Sequence, residues 1–164
     1  MCGSCIREDG YERPLEEPLF GVFPCIAEFW NTVSNAPFVV IGSLRLILYH
    51  VMMSQVMQIL YGLYICAGVL SAFHHASAPR WRKRTIILDW LPILVSIVIL
   101  IATEDGRTTL AHTMVVSWVK FAIAICILIS DHLCLPIPPP WGHSFWHVLV
   151  AFSIDQLYAD SILT

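Results

Sequence analysis

Apolar residues in this chain fall into long blocks separated by short polar breaks, without the alternation of a half-buried strand. The block from about Asn35 to Met53 is long enough to cross a bilayer, which takes roughly 20 helical residues. Further blocks run from about Gln55 to His75, from Thr85 to about Thr103, from about Leu110 to Ser130, and from near Gly142 towards the C-terminus. The turn-forming TEDGRT separates the third block from the fourth. DHLCLPIPPPWG, whose four prolines forbid a helix interior, separates the fourth from the fifth. Ahead of the first block, IAEFWNTVSN is amphipathic and reads as an interfacial helix or the first turn of the membrane helix. The pattern predicts an all-α, polytopic membrane helix bundle over residues 28–164, with about five transmembrane helices. Residues 1–27 form a polar N-terminal segment, acidic enough to be read as no signal peptide.

Composition agrees. Of 164 residues, 57% are hydrophobic and 13% charged, and a mean hydropathy of +0.72 exceeds what a soluble core of this length could hide. The net charge of −3, with no basic tail and no Gly-rich phosphate loop, argues against nucleic acid and nucleotide chemistry. Cys2 and Cys5 form a C-x-x-C that alone lacks the further ligands a metal needs. Cys66 and Cys126 lie inside apolar blocks and read as small hydrophobes.

The chemistry gathers around SAFHHASAPRWRKRTIILD, residues 71–89. Ser71 and His75 are four apart and share a helix face. Asp89 stands near the start of the third apolar block, and His143 and His147 repeat the four-residue step at the start of the last. If the N-terminal side of the membrane is side A, the second span ends there, and the third and fifth begin there. Ser71, His75, Asp89, His143 and His147 therefore share one layer near one face. Ionisable groups in a bilayer are costly unless paired, so such a layer calls for a function. Three imidazoles from two helices match an open zinc site, which keeps three protein ligands and a place for water. The alternative for each histidine is a wetted interfacial side chain that ligates nothing.

Other polar residues read differently. His74 points about 100° away from His75 on a helix and is expected beside the site or at the interface. His50, His112 and His132 have no partner at helical spacing and suit solvated or loop positions. Arg45 and Lys120 are expected to snorkel, with a structural pair as the alternative. Asp155 has no cation near it in sequence. Trp81, Trp141 and Trp146 fit an aromatic belt, and the last two could equally wall a lipid pocket.

IAEFWNTVSN, S-A-F-H-H followed by LDWLP, SDHLC and GHSFWHVLV, in that order from Ile26 to about Val150, resemble the alkaline ceramidases. These belong to a superfamily of membrane hydrolases that includes the adiponectin-type receptors. The resemblance implies a zinc-dependent amidohydrolase that splits ceramide into sphingoid base and fatty acid. His75, His143 and His147 would hold the zinc, Asp89 would handle the proton of the attacking water, and Ser71 would stabilise the oxyanion. It also implies a calcium site using Glu28 and, as nearest equivalents, Glu16 and Glu17, although the family's Asp-Trp-Cys-Glu-x-Asn pattern is absent. The family's fold has seven spans, so this chain is a shortened form lacking two, which preserves the sidedness of the last helix.

The same resemblance implies residence in the endoplasmic reticulum or Golgi with the N-terminus in the lumen, where Cys134 could pair with Cys25 or Cys5. The positive-inside rule points the other way. Side A carries Arg7, Arg13, Arg80, Arg82, Lys83 and Arg84, whereas side B carries Arg107. A receptor-like protein, or an inactive shortened paralogue with a structural zinc site, is the alternative to the hydrolase.

Overall fold

The computed structural model describes residues 21–107, 115–132 and 142–160. The observed elements are all helices: α1 (Phe29–Val33), α2 (Ala36–Tyr49), α3 (Gln55–Ala76), α4 (Pro79–Ala102), α5 (Val115–His132) and α6 (Gly142–Asp160). Among the described residues, three stretches are long and apolar enough to cross a membrane: Phe29–Tyr49, Gln55–Ala76 and Lys83–Ala102. α5 and α6 occupy the blocks expected as the fourth and fifth spans.

Local chemistry explains the boundaries. Ser54 caps α3 by accepting from the Met57 N–H. Pro79 opens α4 at a first-turn position where its missing N–H costs nothing. The basic run Arg80–Arg84, expected as part of a connecting stretch, is therefore helical, and only Ser77 and Ala78 separate α3 from α4. Pro92 sits inside α4, where it removes one rung of the hydrogen-bond ladder.

α2 crosses α3 closely because glycine stands at both contact points. A Cβ on Gly68 would lie 2.5 Å from the Phe38 Cβ, and one on Gly42 would lie 2.7 Å from the Ile65 Cγ1. Small residues of this kind let helices approach where apolar burial alone gives little drive to associate. Phe38, Tyr61, Tyr64 and Tyr158 interlock beside this crossing in tilted and edge-on pairs 4.9–6.4 Å apart. The Tyr64 hydroxyl donates to the Ala151 carbonyl at 2.8 Å, which joins α3 to α6.

A candidate metal centre

α1 is short, yet it organises the site. Just before it, the Ala27 and Glu28 N–H groups donate to the Ala76 and His75 carbonyls at 3.2 and 3.1 Å. They thereby satisfy carbonyls that the end of α3 would leave orphaned. Glu28 begins α1 but does not cap it with its side chain. Its buried carboxylate accepts from His75 Nδ1 at 2.6 Å and from Asn31 Nδ2 at 3.1 Å. Burial alone would raise the Glu28 carboxyl, but the hydrogen bonds it accepts from His75 and the Asn31 amide hold it below its ordinary value.

The last helix docks on the same short element. Ser144 donates to the Asn31 Oδ1 at 2.6 Å, and the Ser34 hydroxyl lies 2.8 Å from His147 Nδ1. Ser34 itself donates to the Asn31 carbonyl at 3.0 Å, so it accepts from a protonated Nδ1. Asn35 Nδ2 is 3.3 Å from that nitrogen but donates to the Asn31 carbonyl at 2.8 Å. His75 and His147 are thus each held at Nδ1, which leaves the Nε2 lone pair of each ring available.

One ring nitrogen from each of His75, His143 and His147 lies within 4.8 Å of the others. The rings stand 4.7–5.0 Å apart, centre to centre, and none stacks on another. His75 Nε2 and His143 Nε2 are 3.3 Å apart. Two nitrogens at about 2.0–2.1 Å from one tetrahedral zinc are separated by roughly 3.3–3.4 Å. That spacing, the neutral donors and their oriented Nδ1 atoms fit zinc.

Ser71 is buried on α3, one turn before His75. His74 is buried as well, but its Nδ1 meets Thr85 Oγ1 at 2.8 Å, so it ties α3 to α4 and is not one of the three converging rings. That contact sets the register of an antiparallel pair, in which Ser71 falls at the level of Leu88 and Asp89. Asp89 is half-buried, within electrostatic reach of His74. The structure thus brings the three histidines together, with Ser71 and Asp89 level with each other about a turn away.

Of the acidic residues offered to calcium, Glu28 is turned towards His75, and Glu16 and Glu17 lie outside the described residues. His50 is exposed in the α2–α3 connection, as expected; His112 and the His132 side chain lie outside the described set. Cys25 is an exposed free thiol, and Cys5 and Cys134 lie outside the described residues. Arg45 does not simply snorkel. It pairs with Asp155, 110 residues away.

The residues that reading the sequence missed are Asn31, Ser34 and Asn35, which with Glu28 form a polar stripe at helical spacing. Trp146 Nε1 is buried beside the site with no hydrogen-bond partner among the described residues, and its ring is 5.5 Å from His143 and 5.1 Å from His147.

A family model described as Ceramidase matches residues 17–133. The chain belongs to the ceramidase family. Membership supports a ceramidase-like hydrolase in a membrane. The match contains Glu28, Ser71, His75 and Asp89 but stops before His143 and His147, so the geometry is what joins these last two to the site. Comparison with curated proteins and with solved structures gives no match.

Proposed function

We propose that this ceramidase-family protein hydrolyses the amide bond of ceramide, with His75, His143 and His147 as the ligands of one zinc ion. The observation that carries the reading is the convergence of three imidazoles from α3 and α6, two of them with Nε2 atoms 3.3 Å apart. Zinc held there supplies a Lewis acid that polarises a carbonyl and makes water a nucleophile near neutral pH. Asp89 is the proposed base, which takes a proton from the attacking water and returns it to the leaving amine. Ser71 is the proposed donor to the developing oxyanion. Such donors are typically worth about 3–4 kcal/mol.

The surroundings suit a lipid with a polar linkage near the membrane surface. His75 and His143 stand one residue inside the ends of α3 and α6, while apolar side chains such as Ile86, Ile87, Trp90 and Leu94 line the exposed faces of α4. An amide held at the end of the bundle leaves its tails in hydrocarbon. The indole N–H of Trp146, which has no partner among the described residues, is a ready donor to a hydroxyl or carbonyl of the headgroup.

The test is metal analysis of the purified protein, coupled to fatty-acid release from a panel of ceramides. One zinc per chain and release that stops on chelation are expected. Zinc without turnover of any ceramide would refute the hydrolase and leave a metal-binding membrane protein.

A further inference from the structure

A second polar layer lies at the opposite end of the bundle from the three histidines. Arg45 of α2 donates from Nε to Asp155 Oδ1 at 2.9 Å and from Nη2 to Oδ2 at 3.0 Å, a forked pair. The Tyr61 hydroxyl of α3 donates to the same Oδ1 at 3.2 Å. On the next residue, Gln156 Oε1 accepts from Lys120 Nζ of α5 at 2.6 Å. One turn of α6 therefore gathers α2, α3 and α5.

Charges in an apolar layer are costly unless fully paired, and an apolar pair would fill the same space. What a forked ion pair adds is geometry, because the guanidinium and carboxylate planes meet in only one relative rotation. α6 needs that control. It carries two of the three converging rings, and a slip of one residue would turn both through about 100° and shift them about 1.5 Å. Asp155 follows His147 by eight residues, about 12 Å along the helix. The helix is thus pinned at two separated levels, by α1 near the rings and by Arg45 and Tyr61 far from them.

We propose that Arg45 and Asp155, assisted by Tyr61, are positioning residues: a lock that sets the rotation and depth of α6 so that His143 and His147 meet His75. The inference rests on the metal-centre reading of those histidines. It assigns a role to an intramembrane carboxylate that the hydrolytic chemistry does not use.

Cobalt(II) uptake by the purified full-length chain tests it, since tetrahedral cobalt reports ligand geometry through its visible bands. Wild type and the charge-swapped Arg45→Asp/Asp155→Arg protein are expected to bind one cobalt with the same spectrum. Asp155→Asn and Arg45→Gln are expected to bind it about tenfold or more weakly, with a weakened spectrum and unchanged helical content by circular dichroism. If the charge variants do not fold, Tyr61→Phe serves, because it removes one donor while keeping the ring; it should weaken binding about threefold. An unchanged spectrum in Asp155→Asn, or in Tyr61→Phe where that variant serves, overturns the lock alone. So does failure of the swap to restore what the single variants lose. A wild-type protein that takes up no cobalt overturns the metal-centre reading together with the lock.

Discussion

Replacing Glu28 is the sharpest perturbation of the metal centre that leaves its ligands in place. The Glu28 carboxylate is buried and accepts from His75 Nδ1 and Asn31 Nδ2. Glu28→Ala strands both donors in a site with little water. Each stranded donor costs about 1–3 kcal/mol, so the metal-free protein should lose stability on that order. It also frees the His75 ring to rotate and weakens the basicity of Nε2. Loss of such a partner typically lowers metal affinity 10–100-fold, or about 1.4–2.7 kcal/mol. Glu28→Gln keeps an acceptor for Nδ1–H and removes only the charge, so its loss should sit near the lower bound, about tenfold. The backbone bond from Glu28 N to the His75 carbonyl survives both changes, so α1 stays attached to α3. Zinc affinity in chelator-buffered equilibrium dialysis, beside thermal unfolding of the metal-free protein, measures both effects. Zinc binding by Glu28→Ala within about twofold of wild type would refute the reasoning. If calcium binding were lost instead, Glu28 would return to the calcium role that the family resemblance offered it.

Other outcomes follow from the same geometry. His143→Ala should abolish bound zinc and fatty-acid release together, and full activity with zinc absent would contradict the assignment. Gly68→Ala would place a methyl 2.5 Å from the Phe38 Cβ; unfolding in detergent should show a loss of about 1–3 kcal/mol, and an unchanged melting curve would mean the helices do not cross there. Trp146→Phe keeps an aromatic side chain but removes the indole N–H together with the five-membered ring, so it should raise KM for ceramide several-fold while zinc content stays constant. An unchanged KM would show that the indole N–H does not meet the substrate.

Much of the architecture was legible in the chain because a bilayer imposes a crude and powerful rule. Backbone groups in hydrocarbon must bond within their own segment, so long apolar blocks become helices. α3 coincides with the block read from Gln55, and the amphipathic IAEFWNTVSN contains α1. The candidate ligands were legible too, since the four-residue step from His143 to His147 and the sidedness of successive spans require only helical geometry and counting. The basic run after Ala78 reads in the sequence as a polar break between two apolar blocks, yet it is helical. Pro79 starts the helix before the apolar block begins.

Tertiary structure decided the partnerships. Nothing local tells Glu28 that its carboxylate belongs to His75, 47 residues away, or Ser34 that it holds His147, 113 residues away. Asp155 looked unpaired because its cation is 110 residues upstream on another helix. Periodicity along one helix specifies which residues share a face, but the partner of that face depends on how separate helices cross. In this bundle the crossing is set by glycine contacts and polar pairs whose two halves lie far apart in the chain.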